Sequence, residues 1–293
     1  MRAYVELLRP ANVVTALADV LAGYAVTQAA APGLTNAPTA RALVFLLLAT
    51  ACLYAGGVAL NDVFDRRVDA VERPERPIPS GRVTASAAAL LGSVLLAAGV
   101  ALSAVAGPAA AAVAAAITAS VVLYDGWAKR HAVGPVIMGA CRGLNLLLGV
   151  AAAPAALAAH WPLGLIGLTY ISAVTMVSRG EVHGARGRTA VAAFALVCAI
   201  LAVLVALSAT VARHPVVPGI VAAGLAWRVL PPFWRAARDS RPEAARGAVR
   251  AGVLSLVLVD AVIAGVYADM IYCLGVLATA VVAGWLGRRF AVT

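Results

Sequence analysis

The chain has 293 residues, of which 63% are hydrophobic and only 12% are charged. This apolar share excludes an ordinary soluble domain, which is nearer half apolar, and predicts an all-α polytopic membrane protein. The formal net charge is +10. The arginines lie mostly in short segments between apolar runs, so they predict membrane topology and contact with membrane lipids, and no nucleic-acid partner.

The sequence contains ten apolar segments. Each is close to the length of about 20 residues that a helix needs to cross the hydrocarbon core. In chain order they cover residues 10–31, 41–62, 84–106, 109–126, 133–154, 161–178, 189–211, 215–234, 248–267 and 270–287. Gly107-Pro108 predicts a tight helical hairpin between the third and fourth segments. The last segment could instead be re-entrant. Residues 1–293 are therefore expected to form a single integral membrane domain.

The distribution of basic residues sets the expected orientation. With the N-terminus inside, the connections on the outside receive only Arg41 and Arg213. The positive-inside rule then predicts that both termini are cytoplasmic. Lys129 is the only lysine in a chain rich in Ala and Arg, which is typical of a GC-rich bacterial genome. We therefore expect a multi-pass protein of the bacterial inner membrane.

The stretch 61–82, NDVFDRRVDAVERPERPIPSGR, carries the strongest chemical signal. If the preceding helix continues through it, Asp62, Asp65 and Asp69 share one face. Acids on one face repel each other unless a cation lies between them, and hard ions such as Mg²⁺ prefer oxygen ligands. Arg73 and Arg76 suit phosphate oxygens, because guanidinium is permanently charged and planar. The pattern predicts a diphosphate site, against the alternative of a solvated loop whose acids offset its arginines.

The same stretch resembles the first signature of the UbiA superfamily of intramembrane prenyltransferases, Asn-Asp-x-x-Asp-x-x-x-Asp, at every fixed position. The resemblance implies a bundle of nine core transmembrane helices, to which this chain adds a tenth. It also implies Mg²⁺-dependent transfer from an isoprenyl diphosphate to a hydrophobic acceptor, such as an aromatic compound. Asn61, Asp62, Asp65 and Asp69 would then hold Mg²⁺, with Asp65 and Asp69 acting in catalysis. The diphosphate would contact Arg73, Arg76 and Arg130.

Two further groups of residues follow the fourth apolar segment. The run 124–130, YDGWAKR, matches a Tyr and Lys-Arg pattern that the family often shows. Lys129 and Arg130 either meet a phosphate or are ordinary anchors at the inner surface. Arg142 and Asn145 lie within an apolar helix, where ionisable groups are costly and usually face a cavity. We interpret them as cavity-lining and substrate-binding, against the alternative that they extend toward the membrane interface.

The loop after the sixth segment is where this family carries a second acidic motif. Here it reads SRGEVHGARGRT over residues 178–189, and Glu181 is its only acid. Glu181 is therefore the candidate catalytic acid of this half, with Arg179 or Arg186 to neutralise the diphosphate. The run SRGEV at 178–182 and the run CRGLN at 141–145 resemble the divergent EboC-type branch. The missing aspartates leave a second hypothesis open, a non-catalytic membrane binder or carrier of a polyprenyl diphosphate.

Overall fold

The computed structural model describes residues 2–30, 39–179 and 187–289, and within these ranges it contains helices and connections but no strand. Thirteen α-helices occur in the described ranges. In chain order they are α1 (Arg2–Leu8), α2 (Pro10–Ala30), α3 (Ala40–Glu72), α4 (Ala85–Ala106), α5 (Pro108–Gly126), α6 (Gly134–Val150), α7 (Pro154–His160), α8 (Gly164–Ser178), α9 (Gly187–Thr210), α10 (Val216–Arg238), α11 (Pro242–Leu254), α12 (Leu256–Tyr267) and α13 (Met270–Arg289).

All ten predicted apolar segments contain helix, which confirms the all-α membrane fold. Nine helical segments of the described chain are long and apolar enough to cross a membrane. Two of them are interrupted, since α7 and α8 together form one and α11 and α12 together form another. α6 is also apolar but has 17 residues. The added C-terminal helix α13 is long enough to span and packs against α2 and α12.

Two connections show how the sequence sets helix ends. Gly107 has φ +141°, a conformation that glycine adopts without strain, and Pro108 begins the next helix. This is the predicted hairpin between α4 and α5. The preceding helix, α3, continues to Glu72, beyond the apolar segment that ends at residue 62. No Gly or Pro interrupts residues 61–72, and the first proline, Pro74, follows the C-cap.

The central helix α6 packs closely against α2 and α8. A Cβ atom on Gly143 would lie 2.2 Å from the Gly164 carbonyl oxygen, and one on Gly149 would lie 2.2 Å from the Val20 carbonyl oxygen. Only glycine permits backbones to approach this closely, as at many helix contacts in membranes. This packing holds α6 against α2, and so fixes which side chains of the two helices meet inside the bundle.

Candidate functional site

The acidic face predicted at the end of α3 is present, because the helix runs unbroken through residues 61–72. Asp62 and Asp69 are buried, with side chains 5% and 6% exposed, while the Asp65 side chain is 28% exposed. The three carboxylates therefore lie on one side of α3 and are largely withdrawn from solvent. Buried carboxylates of like charge need positive partners.

Basic side chains from three other parts of the chain supply those partners. The Arg76 Nη1 atom lies 2.6 Å from Asp69 Oδ2 and 3.5 Å from Asp62 Oδ1. Arg9 Nη2 donates to Asp62 Oδ1 at 2.5 Å. Lys129 Nζ donates to Asp65 Oδ1 at 2.5 Å. We call these six side chains, Asp62, Asp65, Asp69, Arg9, Arg76 and Lys129, the acidic-face cluster.

Arg76 is buried and keeps one donor unused. The loop after α3 folds back over the helix end, with the Ser80 amide donating to the Arg76 carbonyl at 3.0 Å. Within the described chain, Arg76 Nε is buried and has no hydrogen-bond partner. An unpaired buried donor on a guanidinium suits an anionic oxygen, since arginine can present two parallel N–H groups to a phosphate.

Arg82 secures this loop without joining the cluster. Its guanidinium donates to Glu6 Oε2 at 2.5 Å and to the Glu75 carbonyl at 2.7 Å, which ties the loop to α1. The hydrogen bond from Arg82 lowers the pKa of the Glu6 carboxyl below its ordinary value. Arg82 is thus an anchor for the segment that carries Arg76.

Sequence reasoning did not identify Arg9 and Asp125 as site residues. Arg9 has φ +46°, an uncommon left-handed conformation for a residue other than glycine, at the break between α1 and α2. Asp125 is buried and accepts a hydrogen bond from Asn61 Nδ2 at 2.6 Å, with Lys129 Nζ 3.9 Å away. The available signals were the Arg9-Pro10 pair and the acid within the run 124–130. The Arg9–Asp62 and Asn61–Asp125 contacts each join residues more than 50 positions apart in the sequence.

The turn after α5 presents Lys129, and Arg179 supports it. Arg179 Nη2 donates to the Lys129 carbonyl at 3.0 Å and to the His131 carbonyl at 2.5 Å. The C-terminal end of α8 is thereby fixed beside this turn. Arg73 and Arg130, both predicted to contact diphosphate, are exposed, Arg73 at the C-cap of α3 and Arg130 next to Lys129.

Arg142 and Asn145 form a separate polar cluster inside the bundle. Arg142 Nε lies 2.8 Å from Asp19 Oδ2, and Arg142 Nη2 donates to the Thr15 carbonyl at 2.6 Å. Asn145 Nδ2 donates to Asp19 Oδ2 at 2.7 Å, and Thr50 Oγ1 donates to Asn145 Oδ1. These hydrogen bonds join α6 to α2 and α3. The use of Arg142 and Asn145 for substrate binding stays a prediction.

The second half-site predicted from the sequence falls outside the described residues. Glu181, the candidate acid of that half, lies between the described ranges that end at 179 and resume at 187. Its role stays a prediction from the sequence alone. Of that loop, the structure describes Ser178 and Arg179 on one side and Gly187, Arg188 and Thr189 on the other.

The donor chemistry at the end of α3 fits Mg²⁺. Asp62, Asp65, Asp69 and Asp125 supply carboxylate oxygens, the hard ligands that this ion prefers. In the described parts of the chain, no group of three His, Cys, Asp or Glu side chains is arranged to hold a metal ion. A preformed group of three ligands is not required for Mg²⁺, which usually binds one or two carboxylates together with water and substrate phosphates.

Comparison with known proteins places this geometry in a family. The model of the UbiA prenyltransferase family matches residues 16–249, which is most of the chain and includes the acidic face. The chain belongs to the UbiA prenyltransferase family. The superfamily assignment made from Asn61 to Asp69 is confirmed, whereas membership of the EboC-type branch stays a prediction. As a UbiA family member, the chain is a multi-pass membrane protein.

Relatives and solved structures of the UbiA family agree with the fold. The digeranylgeranylglyceryl phosphate synthase of Methanothrix thermoacetophila is 32% identical over 176 residues, which cover 59% of this chain and 61% of that protein. A solved structure described as digeranylgeranylglyceryl phosphate synthase in membranes has a TM-score of 0.68 at 20% identity, covering 92% of this chain and 98% of the other. A UbiA homologue from Archaeoglobus fulgidus bound to GPP and Mg²⁺ has a TM-score of 0.57 at 15% identity, covering 89% and 99%.

The matches to curated relatives are partial. The chain spans between one third and three fifths of the length of the first of them. The solved structures are each at most 20% identical and therefore show the shared fold.

Proposed function

We propose that this chain is a Mg²⁺-dependent prenyltransferase that moves an isoprenyl group from an allylic diphosphate to a hydrophobic acceptor within the membrane. The observation that carries the proposal is the acidic-face cluster, in which Arg76 and Lys129 contact the three aspartates of one helical face. Carboxylates for a metal and basic groups for phosphate are thereby brought to one place. The family of the chain and the names of its relatives support the same reaction.

Asp62, Asp65 and Asp69, with Asn61 beside them, are the residues proposed to hold the metal. When bound, Mg²⁺ would offset the negative charge that develops on the leaving diphosphate. The ion pairs in the structure hold the same carboxylates in place, because each contacts a basic side chain. On metal binding, Asp69 and Asp65 would give up their contacts with Arg76 and Lys129 and bind the metal. Arg76 and Lys129 would then contact the phosphate.

The basic residues are proposed to bind and orient the diphosphate. Arg76 would use its unpaired Nε donor for this, and Lys129 would act as a compact positive charge. Arg73, Arg130 and Arg179 lie at the same end and would contribute long-range attraction. Stabilising charge as it grows on a leaving oxygen is the strongest single contribution that such a site can make.

The bond changes follow from this arrangement. The C–O bond between the allylic carbon and the diphosphate breaks, and the diphosphate leaves with the electron pair. A nucleophilic atom of the acceptor forms the new bond to that carbon and loses its proton. Apolar helices around the site would exclude water that could otherwise capture the allylic cation.

We propose the chemical class of the acceptor and not a particular compound. The relatives' name, digeranylgeranylglyceryl phosphate synthase, favours a lipid alcohol that carries a phosphate. A hydrophobic aromatic acceptor, as expected from the sequence resemblance, is the alternative. Assays with each class, under the same donor and metal, decide between them.

A second candidate function is a non-catalytic binder or carrier of an isoprenyl diphosphate. Glu181 is the only acid in the loop that carries a second acidic motif in this family, and this observation favours the binder. The three intact aspartates of the first motif favour the enzyme. The binder would hold the diphosphate with the same residues but release it unchanged.

A binding experiment tests whether the acidic face holds a metal and a diphosphate. Purified protein is expected to bind geranyl diphosphate with Mg²⁺-dependent affinity. Asp65→Ala should remove most of that dependence and weaken binding in Mg²⁺ by about tenfold or more, because a hard oxygen ligand is lost. Calorimetry in detergent, with and without Mg²⁺, measures both.

Glu72→Ala is the matched control for this variant. Glu72 lies on the same helix, is exposed, and loses the same charge. Its affinity should equal that of the parent protein. An Asp65→Ala protein that folds and keeps full Mg²⁺-dependent affinity would show that the acidic face is only a charged helix end.

We also propose that residues 1–293 form one integral domain in the bacterial inner membrane with both termini and the loop after α3 in the cytoplasm. The few basic residues of the opposite connections support this orientation. A Glu75→Cys substitution on a cysteine-free background should react with an impermeant maleimide only after the cells are opened. Reaction in intact spheroplasts would reverse the orientation.

A further inference from the structure

A groove on the outer face of α10 carries positive charge without a counter-charge. It has a volume of about 590 Å³ and is lined by residues that include Trp227, Arg228, Pro231, Pro232, Arg235 and Leu258. Two of these are arginines and none is an acid. Leu258 belongs to α12, so the groove lies between α10 and that helix. It is separate from the acidic-face cluster, which uses α3, the loop after α3, the turn after α5 and Arg9.

Within the described chain, neither groove arginine has an acidic partner, unlike two arginines that follow α10. Arg241 pairs with Asp239 at 2.6 Å, and Arg246 pairs with Glu243 at 2.8 Å. In the described ranges, no ion pair or side-chain hydrogen bond involves Arg228 or Arg235. Among the described residues, therefore, no acid neutralises the charge of the two groove arginines.

The position of Arg228 makes this unpaired charge costly in a bilayer. It lies ten residues before the end of α10 at Arg238, which corresponds to roughly 15 Å along a helix. α10 is long and apolar enough to span the membrane. A guanidinium at such a depth on an outer face is costly unless an anion or water reaches it.

The two prolines add hydrogen-bond acceptors next to the arginines. Pro231 and Pro232 have no N–H, so they cannot donate the helix bonds to the carbonyls of Trp227 and Arg228. Trp227 is 85% exposed beside Arg228, and Trp234, near the end of α10, is 48% exposed, as expected of a residue close to the lipid headgroups. The groove thus offers guanidinium donors for a phosphate, carbonyls that lack their usual helix donors for hydroxyl groups, and apolar surface for an acyl chain.

We propose that this groove binds an anionic phospholipid whose headgroup carries hydroxyl groups, as phosphatidylglycerol does. Arg228 and Arg235 bind its phosphate, the carbonyls beside the prolines accept from its hydroxyls, and Trp227 and Leu258 contact its acyl chain. Basic pockets between helices at one surface of the bilayer are a recognised way to hold acidic lipids. The inference does not depend on the proposed transfer reaction.

Native mass spectrometry of the full chain tests the proposal. Protein purified into micelles that contain equal amounts of phosphatidylglycerol and phosphatidylcholine should retain one phosphatidylglycerol in preference. Arg228→Gln and Arg235→Gln should each lower that retention about tenfold, the scale of one lost charge-assisted contact. Arg246→Gln, which removes an equal charge from an exposed pair, should retain the lipid as the parent does. If Arg228→Gln does not fold, Arg235→Gln, which lies near the helix end, still tests the proposal.

Several outcomes would overturn the proposal. Equal retention of the two lipids by the parent protein would show that the groove does not select an anionic headgroup. Unchanged retention in both arginine variants would place the lipid elsewhere. Displacement of phosphatidylglycerol by micromolar geranyl diphosphate would assign the groove to the isoprenyl donor, and displacement by inorganic phosphate alone would assign it to a free anion.

Discussion

Arg76→Lys is expected to lower the rate of isoprenyl transfer by on the order of 10²-fold, the scale of losing one preorganised charge-stabilising group. Lysine keeps the positive charge that Asp62 and Asp69 require, so the folded cluster should persist. It lacks the planar fork and the Nε donor that is buried and unpaired here. The rate of transfer from a radiolabelled allylic diphosphate, measured at saturating Mg²⁺, gives the comparison.

Arg82→Lys is the matched control for Arg76. Both arginines lie in the loop after α3, but Arg82 pairs with Glu6 and the Glu75 carbonyl instead of the aspartates. Its replacement should change the rate by less than about threefold, because exposed ion pairs contribute little. Equal losses in the two variants would mean that the loop, rather than the Arg76 guanidinium, is what transfer requires.

Arg142→Met is expected to lower the free energy of unfolding by about 3–5 kcal/mol, because it leaves a buried carboxylate unpaired. Asp19 is 1% exposed, and Arg142 Nε lies 2.8 Å from it. Asp260, 2% exposed, also has one carboxylate oxygen buried without a hydrogen-bond partner in the described chain. Equilibrium unfolding in mixed micelles measures the change.

A double variant separates the lost charge from lost packing. Asp19→Leu together with Arg142→Met removes both charges, so it should be clearly more stable than Arg142→Met alone. Arg241→Met, which breaks an exposed pair with Asp239, should cost no more than about 1 kcal/mol. If the double variant is as unstable as the single one, the loss comes from packing around α6 and not from the unpaired carboxylate.

Helix positions could be predicted from the sequence because length and breakers determine them. Gly107-Pro108 marks a turn by chemistry that is local to two residues. The apolar segment 41–62 does not mark the end of α3, since hydrophobicity falls there while the helix stops only near Pro74. Charged residues can extend a helix beyond the apolar core when no residue breaks it. The interruption at Ser255, between α11 and α12, has no comparable signal.

The candidate site could be predicted only where its residues are close in sequence. Asp62, Asp65, Asp69 and Arg76 are neighbours along the chain, and their spacing indicates a common face. The contact of Arg9 with Asp62 depends on how α1 and α2 pack against α3, which no local pattern specifies. The same holds for Asn61, whose amide donates to Asp125 on another helix. Long-range packing therefore decided the partners that sequence reasoning missed.

The measurement that tests the central claim most directly is release of diphosphate by the purified protein. Protein in lipid micelles, supplied with a radiolabelled allylic diphosphate, Mg²⁺ and either a lipid-phosphate alcohol or a membrane extract, is followed for diphosphate and for a labelled hydrophobic product. We predict that both appear together, require Mg²⁺, and are lost on replacing Glu181 by Gln or Asp65 by Ala. Tight Mg²⁺-dependent binding without diphosphate release from any allylic donor tested would contradict the proposal that the chain is a prenyltransferase. It would instead support the non-catalytic binder.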